Sequence, residues 1–223
     1  MKTTTELQHD VIEELDFDPT LDASQIGVSA SDGVVTLSGH VGSYADRLAA
    51  EKAAKRVLGV RGVANDLKVV LIAGMERDDT DIAQAAVHAL RWDTWIPKDA
   101  VTVTVKSGWV TLEGALDWQY QRDAACRAVE HLTGVKGVTN LITIKPRVLP
   151  GEVERRIHAS FRRAAILDAK KVHVGTVGGR VILRGAVRSW AERADAERAA
   201  WSVTGVTEVE NNLAVGTAEY ATT

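Results

Sequence analysis

The sequence contains a single cysteine, Cys126, among 223 residues. An intramolecular disulfide is therefore impossible, and a chain without paired cysteines is typical of a reducing compartment. No apolar run approaches the roughly 18 residues that a membrane-spanning helix requires. The first ten residues, MKTTTELQHD, are interrupted by charged side chains and contain no apolar core of the kind found in secretory signals. These absences predict a cytoplasmic protein with no transmembrane segment.

An excess of one charge is also missing. The formal net charge is −3 at pH 7, with 26% charged and 45% hydrophobic residues. That balance is typical of a globular domain, and it provides no overall attraction to nucleic acid or to acidic lipid. Because no exposed platform of aromatic and basic residues recurs along the chain, we expect no nucleic-acid partner.

What the sequence does contain is one segment that occurs three times. DGVVTLSG (32–39) returns as SGWVTLEG (107–114) and GGRVILRG (178–185), at offsets of 75 and then 71 residues. A fixed period over nearly the whole chain indicates tandem units, and a unit of roughly 65 residues has the length of a small domain. The predicted domains and the tail are 5–71, 80–145, 151–216 and 217–223.

Each copy carries the same order of secondary-structure signals. Apolar residues spaced four apart predict a first helix, and alternation around a two-residue turn such as Asp32-Gly33 predicts a β-hairpin. A second helix has a buried row of small residues (Ala50, Ala53 and Val57 in the first copy) and lies close to a sheet, and a third strand follows. The predicted fold class is α+β: three tandem α-β-β-α-β domains, each a three-stranded mixed sheet with two helices on one face.

Two sets of recurring glycines carry backbone predictions. The glycine that closes each quoted segment is expected to end the second strand where a helix passes too close for a side chain; this set is Gly39, Gly114 and Gly185. Gly59 and its equivalents are expected at the end of the second helix with positive φ.

The order of these features resembles the BON domain: a GxVxLxG strand, an Ala-rich helix, a GV pair and then Val-x-Asn. That family is named for bacterial osmotically inducible and nodulation proteins, and the resemblance covers all three copies. It implies a non-enzymatic module associated with phospholipid membranes, envelope maintenance and osmotic stress.

The repeat also helps in the search for catalytic and metal-binding residues, because a site present in every domain should recur at equivalent positions. None of the six histidines does so. Cys126 aligns with Glu51 and Glu197 at an outward helix position, which favours an incidental surface thiol over a nucleophile. The acidic segment DFDPTLD (16–22) lacks the central Gly and terminal Glu of a calcium loop. We therefore predict no catalytic residue, no metal site and no cofactor, although a site confined to one copy is left open.

Two polar positions recur, and a structural role is favoured for both. An amide that bonds neighbouring backbone explains Asn65 and its two equivalents better than a ligand does. For Arg47, Arg122 and Arg193, an ion pair or a stem that covers the helix edge is favoured over a row of cations for lipid phosphate.

The three copies differ in charge. Residues 1–75 carry 7 Lys and Arg against 11 Asp and Glu (net −4), residues 76–147 carry 9 against 10 (net −1), and residues 148–223 carry 11 against 9 (net +2). In EVERRIHASFRR (152–163) the apolar positions match the core positions of the other copies. Only the arginines are then available to contact an anionic surface. Each arginine near such a surface contributes about 1 kcal/mol of binding free energy. The candidate lipid-binding residues are Arg155, Arg156, Arg162, Arg163, Arg180 and Arg184.

The middle copy contains four of the six tryptophans. Trp109 aligns with Val34 and Arg180, so it is expected to point outward from the sheet, where a domain interface is favoured over a binding surface. The candidate interface residues are Trp92, Trp95, Trp109, Trp118 and Tyr120. Tyr44 and Trp190 share a position at the start of the second helix, where an aromatic either anchors at a lipid interface or covers the helix end.

The leading hypothesis is a cytoplasmic protein, peripheral at the inner membrane, that binds anionic phospholipid or a membrane-associated partner in osmotic or envelope stress. The third copy would supply the charge-driven contact. The alternative is a scaffold or sensor that binds a protein partner, an ion or a small ligand.

Overall fold

The computed structural model describes residues 2–71, 74–145, 155–157, 159–160, 172–203 and 205–216. The chain divides into two compact units, Met1–Thr143 and Ile144–Thr223. The first unit contains the first two copies of the repeat, and the second unit contains the third.

The first copy follows the predicted order of elements. They are α1 (Thr4–Phe17), β1 (Ile26–Ser31), β2 (Val34–Val41), α2 (Tyr44–Arg56), β3 (Gly62–Asn65) and β4 (Lys68–Val69). Strand β2 is central: β1 pairs with it antiparallel, and β3 and β4 pair with it parallel. The third predicted strand is therefore present as two short pieces.

The second copy repeats this arrangement. Its elements are α3 (Asp79–Trp92), β5 (Val101–Lys106), β6 (Trp109–Leu116), α4 (Gln119–Glu130), β7 (Gly137–Asn140) and β8 (Thr143–Ile144). Strand β6 is central, with β5 antiparallel and β7 parallel to it.

The third copy has the same topology with an unbroken third strand. Its described elements are β9 (Val172–Val177), β10 (Arg180–Val187), α5 (Trp190–Trp201) and β11 (Glu208–Val215). Residues 155–157 and 159–160 are helical. The predicted α+β class with mixed three-stranded sheets is confirmed.

The core of each copy lies between its helices and the inward side of its sheet. In the first copy Leu7, Val11 and Leu15 of α1 are buried against β2 and α2, as their spacing predicts. The alanine row is confirmed with one change: Ala50, Ala53 and Ala54 are buried, whereas Val57 is the C-cap of α2. Helix α2 ends at Arg56, and Val57, although outside the helix, is partly buried and packs against the same core.

The prediction that Gly39 ends its strand beside a helix is wrong. Strand β2 continues to Val41, and the close neighbour is the backbone that precedes β1. A Cβ on Gly39, whose φ is +112°, would lie 2.1 Å from the carbonyl oxygen of Gln25. That carbonyl accepts the N–H of His40 at 3.2 Å. In the same way β6 and β10 run past Gly114 and Gly185.

The turn predictions are confirmed in the first two copies. Asp32 and Gly33 have φ of 50° and 81°, and Ser107 and Gly108 have 54° and 79°. In the third copy the turn also has two residues, but only its first, Gly178, has positive φ.

The recurring asparagine fastens the second helix to the third strand, and its predicted backbone bonding is confirmed in all three copies. Asn65 Nδ2 donates to the carbonyl of Arg47 at 3.2 Å, and its Oδ1 accepts the N–H of Leu67 at 3.3 Å. The same two bonds occur at Asn140 and Asn211.

The recurring arginine is also structural, as predicted, but its partner is a backbone carbonyl and not the carboxylate of an ion pair. The Arg47 guanidinium donates to the carbonyl of Asn65 at 3.0 Å, and that of Arg193 donates to the carbonyl of Asn211 at 2.6 Å. Because these donors are occupied by backbone acceptors, Arg47 and Arg193 serve the fold.

Candidate functional surfaces

The predicted arginines of the third copy begin on its first helix. Arg155 and Arg156 are exposed, whereas Ile157 is completely buried among residues of β9, β10 and α5. The apolar position thus belongs to the core, as the alignment predicts, and the two arginines face solvent. Arg162 and Arg163 lie outside the described residues.

The outward sheet face of the third copy carries the other two candidates in different settings. Arg180 pairs with Glu208 at 3.5 Å and also with Glu210. Bonding from the Asn212 side chain, followed by that from Arg180, holds the pKa of Glu210 below its usual value. Arg184 is exposed and lies opposite His173 and Asn212 in the sheet register. Two carboxylates therefore offset the cations of this face, a balance that the sequence pattern did not reveal.

Three of the five candidate aromatics meet at one end of the second copy. The rings of Trp95 and Tyr120 are edge-to-face at 5.7 Å, and those of Trp118 and Tyr120 stack at 6.4 Å. The buried Gln121 fixes the backbone around them: its Nε2 donates to the carbonyl of Trp95, and its Oε1 accepts the N–H of Trp118. We call Trp95, Trp118 and Tyr120 the aromatic cluster.

Trp92, at the end of α3, is 75% exposed and donates from Nε1 to His88 Nε2 at 2.8 Å. Trp109 points outward from β6, as predicted. Its Nε1 donates to Thr139 Oγ1 at 2.8 Å, so its indole lies over the neighbouring strand of its own sheet.

The expectation that Cys126 is a surface thiol is wrong. It is half-buried, and burial, reinforced by the charge of Glu130, raises the pKa of its thiol to about 12. Burial raises the pKa of Tyr44, at the start of α2, and the charges of Cys126 and Glu130 in the second copy add to this effect. The Tyr44 hydroxyl also hydrogen-bonds with the backbone of Val138. The first copy thus contacts the second copy here. Alignment of the copies cannot show a contact between them.

In the first and third copies the cysteine position holds a glutamate that serves the fold. Asn65 Nδ2 donates to Glu51 Oε2 at 3.2 Å, and Asn211 Nδ2 donates to Glu197 Oε2 at 2.9 Å. In the second copy Cys126 bonds with Asn140 instead. The cysteine thus stands at the position where the other two copies have a carboxylate that bonds the recurring asparagine.

Polar groups with metal-binding potential are dispersed. Within the described ranges, no group of three or more His, Cys, Asp or Glu side chains is placed to hold a metal ion. In the acidic segment Asp18 bonds Thr20 and pairs with Arg56 at 3.2 Å, and Asp22 accepts the N–H of Ser24. No helix among the described residues is both long enough and apolar enough to cross a bilayer.

Comparison with known proteins identifies the repeat. The family model of the BON domain matches three times, at residues 3–70, 78–146 and 151–217. Osmotically-inducible protein Y of Escherichia coli (strain K12) is 34% identical over 128 residues, which are 55% of this chain and 63% of that protein. The chain therefore spans less than two thirds of that relative.

Two solved chains of CdsD, a structural protein of the type III secretion system of Chlamydia trachomatis, also match. They are 14% and 15% identical to this chain, and the matches cover 93% and 96% of it and 90% and 99% of theirs, each with a TM-score of 0.26. A TM-score this low does not establish a shared arrangement.

Proposed function

The chain belongs to the BON domain family, and on that premise we propose that it is a non-enzymatic protein of the osmotic or envelope stress response that binds anionic phospholipid peripherally. A membrane-associated partner of the same negative charge would serve equally as the target. Three matches to the family along one chain, and a relative named for osmotic induction, support the stress role. A cytoplasmic position beside the inner membrane is part of this proposal.

The observation that carries the lipid contact is the division of the third copy's first helix. Ile157 is buried in the domain core, while Arg155 and Arg156 are exposed. Because Ile157 is already packed in the core, it cannot insert into acyl chains, so contact through Arg155 and Arg156 would involve headgroups. Each arginine near an anionic surface contributes about 1 kcal/mol, and the attraction decays within a Debye length. Binding should therefore be weak and sensitive to salt.

The sheet face should contribute less. Replacing Arg180 would leave Glu208 and Glu210 without their cation, so Arg180→Ala would weaken binding by exposing negative charge. Arg184, which is exposed, is the more direct candidate on that face.

Vesicle flotation over a salt series tests the proposal. We expect binding at low salt to phosphatidylglycerol-containing vesicles, none to phosphatidylcholine alone, and loss of binding as salt rises. The double variant Arg155→Ala/Arg156→Ala should bind about 30-fold more weakly, from about 2 kcal/mol of lost attraction.

The matched control is Lys52→Ala/Lys68→Ala, which removes the same charge from exposed positions of the first copy. If both double variants weaken binding equally, only net charge matters and the surface is misassigned. Absence of low-salt binding by the unaltered protein would refute the lipid proposal.

A second candidate, a scaffold or sensor, is favoured by the exposed aromatics. Trp95 and Tyr120 of the aromatic cluster are 55% and 48% exposed and lie against each other, and adjacent exposed apolar side chains are typical of an interaction site. A soluble ligand of the folded state must raise its Tm. A rise with an ion or metabolite, in a protein that does not float with vesicles, would select this candidate.

A further inference from the structure

The outward face of the second sheet has an ordered chemical pattern. In the sheet register Thr104, Thr111 and Thr139 lie side by side across β5, β6 and β7. The adjoining row places Trp109 between Lys106 and Gly137. We call Thr104, Thr111, Thr139 and Trp109 the threonine–tryptophan face.

The indole of Trp109 is held flat on this face. A Cβ on Gly137 would lie 2.6–2.7 Å from three carbons of the six-membered ring, so one side of the ring covers that glycine. The bond from Nε1 to Thr139 Oγ1 fixes its rotation. The ring is 45% exposed. Because the inner side of the ring rests on backbone, the exposed area includes the opposite side, which is presented to solvent without a further conformational cost.

The hydroxyls beside the ring remain available. Among the described residues, no hydrogen bond uses the hydroxyl of Thr104 or Thr111. Each hydroxyl can donate one hydrogen bond and accept two. Charge is nearly absent: on the described strands the face carries one cation, Lys106, and one carboxylate, Glu113, and these offset each other.

The other two copies do not share this pattern. The first copy has hydroxyls at Ser29 and Thr36, but Val34 replaces the tryptophan over Gly62. In the third copy Arg180 stands at the tryptophan position and forms ion pairs with Glu208 and Glu210. The aromatic ring and uncharged hydroxyls therefore occur together only in the second copy among the described strands.

We propose that the threonine–tryptophan face binds an uncharged saccharide. A pyranose ring has an apolar C–H face that can stack on a fixed indole and a rim of hydroxyls that matches Thr104 and Thr111. An acidic lipid or a nucleic acid would need cations that the face does not supply. The match in charge and in hydrogen-bonding groups is what selects a neutral sugar.

The test is calorimetric titration of the full chain with cellohexaose, maltohexaose and chitohexaose, together with tryptophan fluorescence. We expect millimolar or tighter binding of at least one hexasaccharide, and a loss of about tenfold or more in Trp109→Ala. Trp92→Ala, which removes a more exposed indole outside this face, should bind as the unaltered protein does. Trp109→Tyr should retain part of the affinity.

The double variant Thr104→Val/Thr111→Val removes the hydroxyls and keeps the ring, and it should also weaken binding. This variant tests the proposal even if Trp109→Ala does not fold. The proposal is overturned if none of the three sugars binds at about 10 mM, which corresponds to an affinity too weak to be specific, or if binding survives in Trp109→Ala. It is equally overturned if a single-stranded oligonucleotide or a phosphatidylglycerol vesicle binds through Trp109 and the sugars do not. Arg155 and Arg156 lie outside this face, so flotation decides the membrane proposal separately.

Discussion

Removing the Tyr44 ring should make the Cys126 thiol reactive. The thiol has a pKa of about 12 against an ordinary value of 9.0, because it is half-buried and faces Glu130. At pH 8 the difference of about 3 units lowers the thiolate fraction about a thousandfold, and the thiolate is the reactive species. Because Tyr44 interacts with Cys126 across the contact between the first two copies, we expect Tyr44→Ala to admit water to the thiol and to shift its pKa downward.

The assay is the rate of modification by a disulfide reagent as a function of pH. Since Glu130 remains in the variant, we expect part of the full effect, a rise in rate of about tenfold or more at pH 8. Tyr44→Phe keeps the ring and should stay slow, and Tyr120→Ala, a half-exposed tyrosine of the aromatic cluster, should have no effect. Glu130→Gln should lower the thiol pKa independently.

An unchanged rate and pKa in Tyr44→Ala would refute the reasoning, because it would mean that the ring does not cover the thiol. An equal rise in Tyr44→Phe would also count against it, since the hydroxyl rather than the ring would then be responsible.

Two further predictions concern the fold. Asn65→Ala removes two hydrogen bonds from the third strand to α2 and one to the N–H of Leu67. The free energy of unfolding should therefore fall by about 2–3 kcal/mol in urea titration. A change below about 0.5 kcal/mol would contradict the role assigned to the amide. Gly39→Ala should lower the thermal midpoint markedly, because its Cβ would meet a carbonyl oxygen. Gly74→Ala, at a positive φ but with open space around it, should lower the midpoint less, since backbone strain alone reduces the free energy of unfolding by about 1–2 kcal/mol. Equal shifts of the midpoint would show that backbone conformation alone matters.

The three copies share a core and differ on their outward sheet faces. The buried residues at Val35, Val110 and Val181 are the same in every copy. The preceding outward residue is Val34, Trp109 or Arg180. Core positions are constrained by packing against two helices, whereas outward positions are constrained only by what contacts the face. Any functional difference between the copies should therefore lie outside the core.

The helices, strands and turns of this protein can be predicted from local sequence patterns. Helix periodicity at Leu7, Val11 and Leu15, strand alternation and paired turn residues depend on neighbours within a few residues, so they can be identified without coordinates. The threefold repeat then excluded alternatives, since every element had to form three times. This is why the fold class and the role of Asn65 were predicted from the sequence.

Contacts between residues far apart in the chain could not be predicted in this way. The carbonyl of Gln25 approaches Gly39 through the strand register, and Glu208 and Glu210 neutralise Arg180 because a parallel strand carries them alongside it. Contacts of this kind depend on register and on packing between segments far apart in the chain. No local pattern in the sequence encodes either one.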